Sequence, residues 1–336
     1  MSPAPCVTVI IPTVCRPLLL QRAIISAARQ TLPPAEILVV VDGADEETLD
    51  MLRVNPASSV RVISVPQKLG AAEVRNIGVR AARSDWIAFL DDDDEWLPEK
   101  LERQHRVALA STLKYPIIFS RIIVRTPSGD FIMPRRAPRR GEAICDYLFS
   151  RRTILPGEVL LQTSNLFAPR ELLTEVPLRA EQRKWNDTDW LLRTQQIAGA
   201  GLEFIPEVLS IWYCEDSRRG TISGSLDWEY LFRWAVSNRA LFSRQSYSGV
   251  MLVRIAREAA RGGAKAFVRP ILTEAIVHGS PDLIQVIWFL LGALPSFFLS
   301  EGVYAKTRKS LRRIGDLLVA ERGQAEVSRI SQKLFP

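Results

Sequence analysis

The residues of this sequence that point most directly to chemistry form an acidic run, Asp91–Asp94, directly after the apolar residues Trp86–Leu90. Adjacent carboxylates repel one another, and unpaired carboxylates are rarely buried. A bound cation would relieve that repulsion, and because the run contains no histidine or cysteine, its oxygen ligands suit Mg²⁺ or Mn²⁺. The alternative is a solvated acidic turn that caps the following helix, with Pro98 near its first turn.

The elements that must position this run alternate along the first hundred residues. Four apolar runs predict strands, and three segments between them predict helices: Val7–Ile11, Leu18–Gln30, Glu36–Val41, Glu46–Arg53, Val60–Val65, Gly70–Ala82 and Trp86–Leu90. Strands that alternate with helices form a parallel sheet with right-handed crossovers. The sequence therefore predicts an α/β fold.

Three polar groups follow strands of this predicted sheet, namely Pro12-Thr13, Asp42-Gly43 and Asp91–Asp94. Ligands of parallel sheets bind beyond the carboxyl ends of the strands, so we expect one shared site there. If the backbone stays extended past Leu90, Asp91 and Asp93 point to one face and Asp92 points to the other.

Composition and charge narrow the class of protein. The 336 residues are 47% hydrophobic and 24% charged, which is typical of a globular protein, and the net charge is +7. Acidic residues concentrate around Asp42–Asp50 and Asp91–Glu95, and basic residues in Arg218–Arg269 and Lys306–Lys333. A basic surface attracts phosphates of nucleic acid, anionic lipid or a diphosphate ligand, but the aromatic interleaving of a strand-binding surface is not evident. We therefore expect no nucleic-acid partner.

The cysteines and the apolar segments indicate where in the cell the protein is expected to act. The four cysteines show no C-x-x-C and no pairing pattern, which favours a reducing cytoplasm. The first residues lack the features of a signal peptide. The uncharged segment Leu283–Leu299 is shorter than the roughly 20 residues of a spanning helix and contains Pro295. It therefore predicts a buried or interface-lying helix.

Four stretches of the chain, in this order and spacing, carry a family resemblance. They read VTVIIPTVCRP from Val7, AEILVVVDGADEET from Ala35, GAAEVRNIGVRAARSDWIAFLDDDDEWLPEKLERQ from Gly70, and WNDTDWLLR from Trp185. Together they resemble the family 2 glycosyltransferases, over about residues 5–215. The resemblance implies a GT-A fold, a Rossmann-like, mostly parallel central sheet flanked by helices. It also divides the chain into a catalytic domain, 1–215, and a basic helical C-terminal extension, 216–336.

By this resemblance, the first strands bind a nucleotide-sugar donor. Pro12 and Thr13 would shape the nucleotide pocket, and Asp42 would bind the uracil edge. Family members often carry a second acid at this turn, where this chain has Val41. Arg75 would approach the diphosphate or the base.

The acidic run would hold the divalent cation that binds the diphosphate. By resemblance, Asp91 contacts the ribose or the metal, Asp93 is the main metal ligand, and Asp92 supports them at the donor site. Many family members complete the metal shell with a histidine, which the corresponding stretch of this chain lacks. Glu215, Asp216 or water could take that place.

The segment WNDTDWLLR resembles the one that supplies the family's catalytic base. Asp187 matches the base position, and Asn186 stands where Glu or Gln is usual. Asp189 matches a second acid, for which a favourable charge at a helix N-terminus is the structural alternative. The single displacement of the family would invert the anomeric centre.

The resemblance implies a metal-dependent, inverting transfer of one sugar, from a UDP-hexose by our expectation, to a saccharide or lipid-linked saccharide of a cell-surface polysaccharide. Tyr230–Trp234 reads YLFRW rather than the Q-x-x-R-W of processive synthases, so we expect no polymerisation. The second half is either a lid on the catalytic domain or a contact with the cytoplasmic face of the inner membrane. Two alternatives stay open for the whole: a nucleotidyltransferase and an inactive nucleotide-binding module.

Overall fold

The computed structural model describes residues 7–54, 60–127, 129–214, 227–264, 266, 268–293 and 295–298. The chain divides into two compact units. The first comprises residues 1–127 and 161–215, and the second comprises residues 128–160 and 216–336. The first unit thus ends where the predicted catalytic domain ends, while residues 128–160 belong to the second unit. The predicted division at residue 215 stays a prediction about function.

The first unit alternates strands and helices as its sequence predicts. Its strands are β1 (Val7–Thr13), β2 (Glu36–Asp42), β3 (Val60–Val65), β4 (Trp86–Phe89), β5 (Glu95–Trp96), β6 (Tyr115–Thr126), β8 (Phe167–Pro169) and β9 (Ala200–Tyr213). Its helices are α1 (Pro17–Ala28), α2 (Glu46–Val54), α3 (Ala71–Ala81), α4 (Lys100–Ala110), α6 (Arg170–Glu175) and α7 (Asn186–Thr194). All seven elements predicted for the first hundred residues are present.

The strands of the first unit form one sheet in the order β3-β2-β1-β4-β8-β6-β9-β5. The four strands at one side of it, β1 to β4, are mutually parallel, and β8 joins them in the antiparallel direction. In register, Thr13 lies opposite Val41 and Ile10 lies opposite Phe89. The carboxyl ends of β1, β2 and β4 therefore meet at the same edge.

The sheet is anchored by central strands that are buried on both faces. Every residue of β2 is buried, and its run EILVVVD is apolar except at its two ends, as expected of a strand covered by helices on both sides. Helix α3 packs against β1 and β2 at a glycine, because a Cβ at Gly78 would lie 2.5 Å from Cγ2 of Ile10. This close packing holds α3, with Arg75 on it, directly beside the first strands.

The second unit is mostly helical in the residues described. It contains β7 (Gly129–Met133) and the helices α5 (Ile144–Phe149), α8 (Trp228–Ser237), α9 (Arg244–Gly249), α10 (Ala256–Arg261), α11 (Val268–Val277), α12 (Leu283–Gly292) and α13 (Pro295–Phe298). A π-helical segment, Val250–Ile255, joins α9 to α10. The segment predicted as one helix from Leu283 is therefore two helices, which separate before Pro295. Throughout the described residues, each helix is too short or too polar to cross a membrane.

Candidate functional site

The acidic run forms a tight turn at the end of β4. The amide of Leu90 still bonds the carbonyl of Ile10 on β1, at 3.1 Å, and the strand stops there. The amide of Asp94 then bonds the carbonyl of Asp91, also at 3.1 Å, which closes a four-residue turn. The extended backbone does not continue past Leu90, so the condition for the expected alternation of Asp91 and Asp93 against Asp92 is not met.

Asp92 ties the acidic turn to the end of β1. Its carboxylate accepts a hydrogen bond of 2.8 Å from the hydroxyl of Thr13 and lies 3.2 Å from Nη1 of Arg16. Burial disfavours the charged carboxylate and raises the pKa of Asp92 to about 6. Thr13 and Asp92, both predicted for the donor site, are thus in direct contact.

Asp91 and Asp93 are the more exposed carboxylates of the turn, with 26% and 17% of their side chains exposed. Asp93 lies 3.2 Å from the same Arg16 nitrogen that contacts Asp92. Asp91 pairs with Nη2 of Arg75 at 2.5 Å. The Arg75 side chain is 8% exposed, and its Nε has no hydrogen-bond partner, so this buried cation has an unused donor at the site.

Asp94, the residue of the acidic run to which the sequence assigned no role, anchors the turn through buried hydrogen bonds. It is 1% exposed, and its carboxylate accepts hydrogen bonds from Ser164, at 2.6 Å, and from Gln162. The Ser164 hydroxyl also accepts the amide of Asp91 at 3.0 Å. Burial and the charges of Asp91 and Asp93 raise the pKa of Asp94. Ser164 lies 70 residues further along the chain, so no local pattern could have predicted this contact.

Asp42 lies at the carboxyl end of β2, as predicted, but both of its carboxylate oxygens accept hydrogen bonds from backbone amides. Oδ1 accepts the amide of Leu69 at 2.6 Å, and Oδ2 accepts the amide of Gly70 at 3.0 Å. These bonds fix the chain where it enters α3. Pro12, opposite Val40 in the sheet, is half-buried at the same edge. The uracil contact of Asp42 and the pocket role of Pro12 stay predictions.

Asp187 lies in the first turn of α7, which follows an unusual backbone position. Trp185 precedes the helix with a φ of 56°, in the left-handed region that a bulky residue rarely adopts. The Asp187 carboxylate accepts the amide of Thr188 at 2.7 Å and the hydroxyl of Thr163 at 3.4 Å. It lines a small pocket together with Gln162 and apolar side chains, namely Ile117, Phe119, Leu161, Leu166 and Leu191.

The electrostatic surroundings of Asp187 link it to the acidic turn. Burial raises the pKa of Asp187, the positive charge of Arg75 lowers it, and the negative charge of Asp91 raises it further. The hydrogen bonds agree with this: Gln162 bonds Asp94 and lines the pocket of Asp187. Thr163, which bonds Asp187, directly precedes Ser164, which bonds Asp94, so Asp187 lies beside the acidic turn. A carboxylate with a raised pKa can accept a proton from a hydroxyl more readily than an ordinary aspartate.

Asp189 lies two residues after Asp187 on α7 and has a different environment. Its side chain is fully buried, and its oxygens lie 3.1 Å from Nη1 of Arg179 and 2.8 Å from Nε of Arg193. The pair with Arg193 lies within α7, and the pair with Arg179 joins α7 to the loop before it. The contacts give Asp189 a structural role through ion pairing, which differs from the helix N-terminus charge stated as its structural alternative.

Asp189→Asn is expected to lower the stability of the folded protein and to change the rate of its reaction much less. Removing one partner of a fully buried ion pair costs about 3–5 kcal/mol, and since 37% of the Arg179 side chain is exposed we expect about 2 kcal/mol. Urea unfolding measures the change, with the Asp50→Asn variant of an exposed carboxylate as the control. An unchanged urea midpoint would contradict the structural role.

The acidic turn fits a divalent cation by the chemistry of its donors. Asp91 and Asp93 offer partly exposed carboxylate oxygens on one turn, and Mg²⁺ is commonly held by one or two carboxylates plus phosphate oxygens and water. Over the described ranges, no group of three or more His, Cys, Asp or Glu side chains is arranged to hold a metal. Glu215 and Asp216, the residues considered for completing the shell, lie outside the described residues.

Comparison with solved structures defines the class of fold. A mannosyltransferase from Pyrobaculum calidifontis, solved with GDP-mannose and Mn²⁺, superposes with a TM-score of 0.55 at 15% identity, over 94% of this chain and 87% of that one. At that identity the likeness speaks for the fold alone. The structure thus has the GT-A fold that the sequence predicted, with helices in the C-terminal part.

Sequence comparison gives a family match for part of the chain. The glycosyl transferase family 2 profile matches residues 8–164, so that segment is similar to the domain of that family. The amylovoran biosynthesis glycosyltransferase AmsB of Erwinia amylovora is 28% identical over 152 residues, 44% of this chain and 47% of AmsB. The Escherichia coli glucosyltransferase WfgD is 30% identical over 135 residues, 39% of this chain and 52% of WfgD. The matches therefore span about half the length of these relatives.

Proposed function

We propose that this protein is a metal-dependent, inverting glycosyltransferase that moves one sugar from a nucleotide-sugar donor, a UDP-hexose, to a saccharide acceptor. The observation that carries the proposal is the set of contacts at the acidic turn: Arg75 pairs with Asp91, and the neighbouring residues Thr163 and Ser164 bond Asp187 and Asp94, respectively. The name of WfgD, a UDP-glucose glucosyltransferase acting on a diphosphoundecaprenol-linked sugar, supports the donor and acceptor class.

The donor diphosphate would lie against the acidic turn and Arg75. A divalent cation held by Asp91 and Asp93 would neutralise the charge that develops on the leaving nucleoside diphosphate. Arg75 has an unpartnered buried Nε, and a guanidinium is suited to phosphate oxygens. Thr13 and Pro12 would shape the nucleotide pocket, with Asp92 holding Thr13 in place. Asp42 would bind the base, and its bonds to Leu69 and Gly70 orient it.

Asp187 would act as the general base. The acceptor hydroxyl donates a hydrogen bond to the carboxylate and loses its proton as its oxygen attacks the anomeric carbon. The bond from that carbon to the diphosphate oxygen breaks on the opposite face, which inverts the centre. The amide of Thr188 holds one carboxylate oxygen at 2.7 Å, and the other accepts the longer bond of 3.4 Å from the hydroxyl of Thr163, which the acceptor hydroxyl would join or replace.

The acceptor would be a growing cell-surface saccharide, free or linked to a lipid diphosphate. The names of AmsB, an amylovoran biosynthesis glycosyltransferase, and of WfgD, a glucosyltransferase for a sugar linked to diphosphoundecaprenol, support this class. We place the reaction in the cytoplasm, at the inner face of the membrane, where activated sugars and lipid-linked acceptors would meet.

A donor screen tests the function. The full chain is incubated with Mn²⁺ and, in turn, UDP-glucose, UDP-galactose and their N-acetyl analogues, and UDP release is measured. We expect release from one or two of the donors, faster when an acceptor saccharide is added. No release from any sugar nucleotide would favour an inactive nucleotide-binding module, and pyrophosphate release from nucleoside triphosphates would favour a nucleotidyltransferase.

A further inference from the structure

Helix α12 in the second unit exposes apolar side chains on the face where a globular protein normally carries polar ones. Its buried residues are Gln285 and Phe289. On the opposite face, Leu283, Leu290 and Leu291 are 75%, 43% and 53% exposed. Between them lie half-buried isoleucines, Ile284 and Ile287. The helix is thus apolar around its whole circumference except at one internal glutamine.

An arginine cluster borders this exposed face at Trp288. The guanidinium carbon of Arg151 lies 4.5 Å from the centroid of the Trp288 ring, and that of Arg257 lies 5.6 Å from it. The side chain of Arg257 also passes Gly292 at the end of the same helix. Two guanidinium groups therefore lie over one indole ring, and this ring belongs to the helix that carries the exposed leucines.

Several arginines lie close together in this cluster. Burial lowers the pKa of Arg151, and the positive charges of Arg254, Arg257 and Arg135 lower it further. Glu158 lies 3.9 Å from Arg151 and 3.2 Å from Arg136, so its charge is shared, and the charge of Glu258 acts on Arg254. The Nη1 atom of Arg151 makes no hydrogen bond. An anion beside the cluster would relieve this repulsion.

Size and chemistry then identify the kind of partner. Ten residues of helix extend about 15 Å, half of the roughly 30 Å hydrocarbon core of a bilayer, so α12 cannot span it. A short apolar face with tryptophan and arginine at its border is typical of a helix that lies in the headgroup region. A second copy of this chain would bring the same excess of arginine to the contact.

We propose that the exposed face of α12, with Trp288, Arg151, Arg254 and Arg257 at its border, docks the protein on an anionic phospholipid surface. The leucines enter the boundary between headgroups and acyl chains, and the guanidinium groups bind lipid phosphates. This inference does not rest on the glycosyl transfer reaction, because lipid docking is a property of the second unit alone.

Vesicle flotation of the full chain tests the docking surface. Vesicles of phosphatidylcholine are compared with vesicles of equal parts phosphatidylglycerol and phosphatidylcholine. Two double variants are made, Leu290→Gln with Leu291→Gln, and Arg254→Gln with Arg257→Gln. Each is expected to raise the lipid concentration for half-maximal binding to the anionic vesicles about tenfold or more.

Matched control variants test whether the loss of any exposed leucine or arginine, rather than of those at α12, weakens vesicle binding. Leu109→Gln removes an exposed leucine of the first unit, and Arg233→Gln removes an exposed arginine of the second. Both are expected to bind like the original protein. Far-ultraviolet circular dichroism and the urea midpoint check that every variant folds.

Four outcomes would contradict the proposal. One is the absence of binding to anionic vesicles, and another is equal binding by the α12 variants and the controls. The third is a dimer in solution that the leucine variants convert to a monomer while vesicle binding is unchanged, which would assign the face to a second copy. Soluble pyrophosphate that displaces the protein from vesicles without dependence on Arg254 and Arg257 would also contradict the arginine contact.

Discussion

Replacing Asp187 by asparagine is expected to lower the rate of sugar transfer by about 10²- to 10⁴-fold, while the affinity for the donor stays unchanged. Asparagine has the same shape, and its carbonyl oxygen can still accept the amide of Thr188 at the start of α7. What it lacks is the ability to take the proton of the acceptor hydroxyl. Initial rates under saturating donor and acceptor, with UDP affinity measured separately, test this expectation.

The pH dependence of the rate gives a second readout of Asp187. Burial raises its pKa, against the lowering effect of Arg75, and the base must be unprotonated to act. The rate of the original protein is therefore expected to rise with pH as Asp187 loses its proton. Asp187→Asn should lack this rise, because asparagine does not titrate.

The control for Asp187 is Asp50→Asn, which neutralises an exposed carboxylate on α2 and should leave both rate and affinity unchanged. Asp189→Asn supplies a contrast on the same helix, because it is expected to change stability more than rate. Full turnover by Asp187→Asn with an unaltered pH profile would refute the assignment of the base and leave the donor site intact.

Asp93→Asn is expected to lower transfer by about 10²-fold or more and to weaken the dependence of UDP-sugar binding on Mn²⁺. Stabilisation of the leaving diphosphate by a cation amounts to several kcal/mol, and each 1.4 kcal/mol is about a factor of ten in rate. The Asp93 carboxylate is partly exposed on the acidic turn, so the substitution leaves the buried contacts of Asp94 in place. Calorimetric titration of the donor across a range of Mn²⁺ concentrations measures the effect.

Asp91→Asn distinguishes a metal ligand from a structural partner. It removes the counter-ion of the buried Arg75 as well as a candidate ligand, so it should lower stability in addition to activity. Asp93→Asn should leave the urea midpoint close to that of the original protein. If Asp93→Asn binds the donor with the same Mn²⁺ dependence as the original, the acidic turn does not hold the cation.

The fold of the first unit could be predicted because its signals are local. The apolar runs that end at Thr13 and Asp42 form β1 and β2, and the alanine-rich segment between Gly70 and Ala82 forms α3. Short-range patterns of apolar residues decide between strand and helix, and parallel strands place their carboxyl ends at one edge. That rule was enough to gather Thr13, Asp42 and the acidic turn.

Details of the site could not be predicted, because they depend on residues far apart in the chain. The alternation of Asp91 and Asp93 against Asp92 assumed an extended backbone, whereas the run closes into a turn in which Ser164 and Gln162 bond Asp94. Arg16 pairs with both Asp92 and Asp93, and nothing in its spacing from Thr13 marks it. Likewise, only the positions of Arg179 and Arg193 show that Asp189 is structural.

By itself, the sequence determined that this chain has an α/β sheet, which residues end its strands, and which acids could meet there. Hydrophobic periodicity and charge are properties of neighbouring residues, so they can be read without a structure. Only the tertiary structure decided which carboxylates are buried, which pair with arginine, and which remain open to a ligand. The reason is that desolvation and ion pairing depend on side chains brought together across the fold.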